Sequence, residues 1–182
     1  FFVVSRFGES VVTMKLGLLL FEAVSVAAMV ALLRCLDIPV THVAAYAWHP
    51  LPLWEIAGNG HVDAAMLAFI LVGLLVYLHG RTLTAGVLIT IGALIKPLAL
   101  LALPVLWRPW NWRLPVCVAA TIVLAYLPYL SVGFSVFSFV PGYVQEEGLA
   151  SGSGFKLLWL VQLATGPLRF GTVTYLAASA LA

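Results

Sequence analysis

The chain has 182 residues, 63% of them hydrophobic and 9% charged, with nine Lys/Arg against seven Asp/Glu and a mean hydropathy of +1.10. Soluble domains carry roughly 25% charged residues, so a soluble globular domain, a disordered chain and a disulfide-rich secreted module are excluded. An integral membrane protein remains, in which a charge at membrane depth is costly and usually has a use.

The first residue, Phe1, and the last, Ala182, both lie in apolar stretches, and the chain reads as a segment of a longer membrane protein. No signal-peptide pattern is present. A net charge of +2 gives no footing for nucleic acid. Cys35 and Cys117 are expected near cytoplasmic helix ends, where a disulfide is not expected, and they have no histidine close in sequence with which to build a zinc site.

A spanning helix needs roughly 20 apolar residues. In chain order, spans are expected over 16–34, 42–54, 62–79, 83–107, 114–130 and 172–182, with an outward loop over 131–171. Glu22 lies inside the first span, where it reads as an interhelical hydrogen-bonding residue. Asp37 and Pro39 mark the first loop. The 42–54 stretch is short and ends at Pro50 and Pro52, ahead of the polar turn Gly58-Asn59-Gly60-His61. Asp63 falls in the first turn of the following helix. Lys96-Pro97 interrupts the centre of 83–107, and Arg108 to Arg113, with Trp107, Trp110 and Trp112, reads as an interfacial belt. A solvated acidic pair is expected at Glu146 and Glu147, and an interfacial helix with Trp159 over 155–163. The fold class is therefore all-α, a polytopic transmembrane helix bundle forming one domain, with a broken or re-entrant helix pair around Lys96-Pro97.

Lys and Arg in short loops orient the chain. Arg34, Arg81, Arg108 and Arg113 share the cytoplasmic side only if 83–107 enters and leaves on that side. Each half is then about a dozen residues, roughly 18 Å, against a hydrocarbon core of about 30 Å. The re-entrant hairpin is preferred, with a single kinked span as the alternative.

The polar residues outside the loops are the candidates for function. Asn59, His61 and Asp63 converge where an apolar bundle meets water, and Asp63 faces the favourable end of a helix dipole. They offer donors, acceptors and an imidazole to a hydroxyl or phosphate ligand; as the plainer alternative, Asn59 and Asp63 cap the helix while His61 reaches for water. Lys96 has a lipid phosphate as its natural counter-ion, or else a helix C-terminal carbonyl or Glu22. No P-loop, GxGxxG, GxSxG or HExxH motif is present.

The order W-x-P-L, GNGHVDA, an apolar span, GR-x-L-x-AG-x-L, A-L-x-K-P and L-P-x-L resembles the GT-C membrane glycosyltransferases, and within them the bacterial polyprenol-phosphate-mannose-type mannosyltransferases. The similarity runs from about Glu9 to Leu130, about two thirds of the chain, and includes S-V-V-x-x-K-L at Ser10 to Leu16. The family pattern has Asn where this chain has His49. The resemblance implies a multi-pass inverting transferase of the bacterial inner membrane, moving a hexose, mannose by family, from a polyprenyl-phosphate sugar to a glycan or glycolipid acceptor on the outer face. It implies a catalytic base in an outward loop upstream of Phe1. It implies that Asn59, His61 and Asp63 contact substrate hydroxyls while Lys96 holds the lipid phosphate. No cofactor is expected; a divalent metal is compatible with the chemistry, but no carboxylate pair marks its site. The competing reading from another class is a transporter or flippase subunit for a lipid-linked or small polar substrate, since broken helices with a charge at the break also serve transport. A third is a structural membrane subunit, in which these four residues tolerate alanine.

Overall fold

A computed structural model describes residues 10–138, together with positions 6, 8, 141, 142, 145 and 163. Glu146, Glu147, Trp159 and the expected span 172–182 lie outside the described residues, as does most of the expected interfacial helix over 155–163. Among the described residues every regular element is helical. The chain divides into two compact units, Phe1–Tyr126 and Leu127–Ala182.

The first unit is built on helices α1 (Val11–Cys35), α2 (Asp63–Leu78), α3 (Thr82–Ile95) and α4 (Arg113–Tyr126). Ser10 caps α1: its hydroxyl accepts the Thr13 backbone N–H at 3.1 Å, one of the donors a helix start leaves without a partner. At the other end Asp37 adopts a left-handed φ of 54°, and the Ile38 N–H returns to the Leu33 carbonyl at 2.9 Å. This closes the last turn ahead of Pro39.

Between α1 and α2 the chain runs through short turns: a 3-10 turn at Val40–Val43, a helical turn at Ala44–Ala47, another at Pro50–Pro52, and a π-helical turn at Leu53–Gly58. The stretch 42–54 is thus subdivided rather than one continuous helix. Pro50 and Pro52 each lack the N–H that a helical ladder needs.

Packing runs in order: α2 lies between α1 and α3, and α3 also meets α4. Phe21 of α1 and Phe69 of α2 hold their rings 6.0 Å apart in a tilted pair. The α2–α3 interface is close because glycines face it. A Cβ on Gly73 would sit 2.7 Å from Ile89 Cγ1, and one on Gly92 would sit 3.2 Å from the Met66 carbonyl oxygen.

Helix α3 stops at Ile95. Lys96 is extended (φ −145°, ψ 122°), as expected before a proline, whose ring disfavours the α conformation in the residue ahead of it. A 3-10 helix follows at Pro97–Ala102 and a helical turn at Leu103–Leu106. Leu106 is buried in one cluster with Ala85 and Ile89 of α3 and Leu114 at the start of α4. The chain therefore turns back on itself at Lys96 and returns toward the end of α3 from which it came.

Among the described residues two helical stretches, Val11–Cys35 and Arg113–Gly133, are long and apolar enough to cross a membrane. On α1 the row Val12, Leu16, Leu20 is 61–67% exposed, and Val123 and Leu124 are as open on α4. A continuous apolar row facing outward marks an interaction surface rather than a wetted one, and here it associates the chain with a membrane. In the second unit a 3-10 helix spans Leu127–Phe137, bent at Gly133 (φ 59°, ψ −143°).

Candidate functional site

The site lies where α2 begins and α3 ends. The π-turn leads through Asn59 to Gly60, whose φ of +72° belongs to the left-handed region that glycine enters without penalty. The His61 N–H closes onto the Glu55 carbonyl at 3.0 Å, and α2 starts two residues later with no side-chain cap. Lys15 of α1 reaches across and donates to the Gly58 carbonyl, tying the turn to the bundle.

Asp63, in the first turn of α2, meets the break after α3. Lys96 Nζ lies 3.0 Å from Asp63 Oδ1 and donates to Oδ2 at 3.3 Å. Oδ1 is buried and accepts no directed hydrogen bond, so its charge depends on the nearby ammonium. The Lys96 side chain is 32% exposed and that of Asp63 39%. Water therefore screens the pair, and its value to stability is small beside that of a buried pair.

His61 stands between two carboxylates. Its Nε2 is 3.3 Å from Glu55 Oε2 and its Nδ1 3.6 Å from Asp63 Oδ2. The Asn59 amide donates to the same Glu55 Oε2 at 3.2 Å. Glu55, His61, Asp63 and Lys96 thus form a continuous polar row. It lines a cleft of about 270 Å³ whose remaining wall includes Tyr46, Leu51, Ile56, Met66 and Leu98. Tyr46 in turn donates to Glu22 Oε2 of α1 at 3.0 Å. An apolar cleft with a few convergent polar groups is the usual form of a small-molecule site.

All four sequence candidates come together here, although their partners differ from those expected. Lys96 pairs with Asp63, a partner the sequence did not suggest, because the break at Pro97 places it beside the start of α2. Asn59 and Asp63 do not cap α2: Asn59 is spent on Glu55, and Asp63 on Lys96 and His61. Sequence reading missed Glu55, Tyr46 and Lys15. The four-residue spacing of Glu55 and Asn59, which places two side chains on one helical face, was the available signal for the first. Among the described residues no three His, Cys, Asp or Glu side chains gather as a metal site.

Residues 3–127 match the MptA_B family model, described as an alpha-(1->6)-mannopyranosyltransferase N-terminal domain. The chain belongs to this family. The matched region contains the whole cleft, and membership supports a glycosyltransferase, with mannosyl transfer as its activity. No curated protein and no solved structure matches the chain.

Proposed function

We propose that this chain forms the donor-binding part of a bacterial inner-membrane mannosyltransferase of the GT-C kind. The enzyme takes mannose from a polyprenyl-phosphate donor and passes it to a hydroxyl of a glycan or glycolipid on the outer face. The observation that carries this reading is the row Glu55, His61, Asp63, Lys96 along one cleft, with a single ammonium at the helix break. Lys96 is suited to the donor phosphate. As the acceptor oxygen bonds to the anomeric carbon, the bond from that carbon to the phosphate oxygen breaks, and the electron pair leaves with the polyprenyl phosphate. A fixed cation stabilises the charge developing there. Asn59, His61 and Asp63 supply donors and acceptors for sugar and acceptor hydroxyls, and the acceptor's proton passes to a carboxylate acting as general base.

The test is transfer of labelled mannose from a polyprenyl-phosphate donor to a mannoside acceptor by the full-length protein in nanodiscs. Lys96→Gln and Asp63→Ala are each expected to lower the rate about tenfold or more, the scale on which a positioned charge acts in transfer chemistry. Wild-type rates in both variants, with the fold intact, would remove them from the site. Movement of intact donor across the bilayer without transfer would favour the carrier reading, which the charge at the broken helix also suits.

A further inference from the structure

The Lys96 ammonium, the group best suited to a phosphate, already has a carboxylate 3.0 Å away. That carboxylate also faces an imidazole, since Asp63 Oδ2 lies 3.6 Å from His61 Nδ1. The two partners are Asp63's neighbours in the cleft row, and both approach its Oδ2. Here 3.6 Å is too long for a formed hydrogen bond, yet a small rotation of the carboxylate would close it. His61 is half exposed and its far nitrogen lies 3.3 Å from Glu55 Oε2, so Nδ1 is the nitrogen that can donate to a closer carboxylate.

A phosphate entering at Lys96 meets Asp63 as a like charge, and two anions on one ammonium repel. We infer that Asp63 is the resident counter-ion of Lys96, that an incoming phosphate group displaces it, and that His61 receives the displaced carboxylate. Besides its contacts to substrate hydroxyls, Asp63 then has a positioning task toward Lys96: it holds the ammonium in place when the cleft is empty and yields it when a phosphate arrives. This inference rests on the proposed role of Lys96 as the phosphate's partner.

The test measures binding to full-length protein in nanodiscs, with inorganic phosphate and a polyprenyl monophosphate as separate probes. Asp63→Asn keeps the shape and removes the competing charge. It is expected to tighten binding about fivefold or more, the lower end of ordinary coupling between sites. His61→Ala removes the receiving group and is expected to weaken binding about fivefold in the native background and to have no effect in the Asp63→Asn background. Such non-additivity is what a double-mutant cycle detects. Tightening with the polyprenyl probe alone identifies a lipid phosphate as the ligand; tightening with both shows that the phosphate group suffices. Either supports the exchange.

Weaker binding in Asp63→Asn, or equal effects of His61→Ala in both backgrounds, overturns it. Lys96→Gln separates the two readings. If Lys96→Gln binds both probes like wild type, the assignment of Lys96 itself fails. If it loses binding while Asp63→Asn does not gain, only the exchange fails. His61 is exposed, so His61→Ala is expected to fold and gives a readout even where Asp63→Asn does not express.

Discussion

Glu55 is held in a way that leaves its two oxygens unequal. Asn59 and His61 both address Oε2, at 3.2 and 3.3 Å, from residues four and six positions further along the turn. A carboxylate fixed through one oxygen is oriented, and orientation is what allows a group to act on a bound hydroxyl. Glu55→Gln keeps the volume and an acceptor for Asn59 but removes the charge facing His61. The expected result is a mannosyl-transfer rate about tenfold lower, with the loss in kcat or in acceptor KM rather than in donor KM. Unfolding stability should move by no more than about 0.5 kcal/mol, since the side chain is more than a third exposed. Steady-state kinetics with donor and acceptor varied separately, alongside a thermal melt, checks both halves. An unchanged rate would reduce Glu55 to a tether for the turn.

At the scale of elements, the α2–α3 pair fixes the distance between Asp63 and Lys96. Those residues sit at the first turn of one helix and just past the end of the other, so helix separation sets their meeting. Gly73 and Gly92 allow the close approach. Gly73→Ala places a methyl 2.7 Å from Ile89 Cγ1 and 3.3 Å from the Ala85 carbonyl oxygen. Ile89 is fully buried and has little room to yield. Overpacking of this kind costs about 1–3 kcal/mol, and a thermal melt of the variant in detergent should show it as a lower midpoint. A midpoint equal to wild type would mean the interface is looser than its geometry.

The same elements show what a sequence carries openly. Lys96-Pro97 was legible as a break because proline constrains its neighbour locally, and the structure places that break at Lys96. The gathering of Asn59, His61 and Asp63 was legible because glycines on both sides of Asn59 force a turn. The Lys96–Asp63 pair was not, since it spans 33 residues and depends on the register of two packed helices. Nor was the π-turn at Leu53–Gly58, whose extra residue per turn leaves no mark in a pattern of apolar residues. That turn carries Glu55 to the cleft wall.

Across the first unit as a whole, charge separates by end. Arg34 lies in the last turn of α1, Arg81 caps the start of α3 and Arg113 opens α4. Lys15, Glu55, Asp63 and Lys96 gather at the opposite end, around the π-turn and the break. Because Leu106 returns to Ala85 and Leu114, the segment that carries Arg108 comes back to the arginine end. Arginines on one side of short hydrophobic elements mark the cytoplasm, so the cleft faces outward in the topology we propose, with Lys96 at the tip of the hairpin and its ammonium on the cleft.

One labelling experiment decides between this and a single kinked span. With Cys35 and Cys117, both free thiols, changed to serine, single cysteines at His79, Asn111 and Trp54 are probed in sealed vesicles with a membrane-impermeant maleimide. The hairpin requires His79→Cys and Asn111→Cys to label from the same face and Trp54→Cys from the other. A single kinked span requires Asn111→Cys to share its face with Trp54→Cys. That outcome would put Arg108 and Arg113 on the side of the cleft, contrary to the return of Leu106 onto α3.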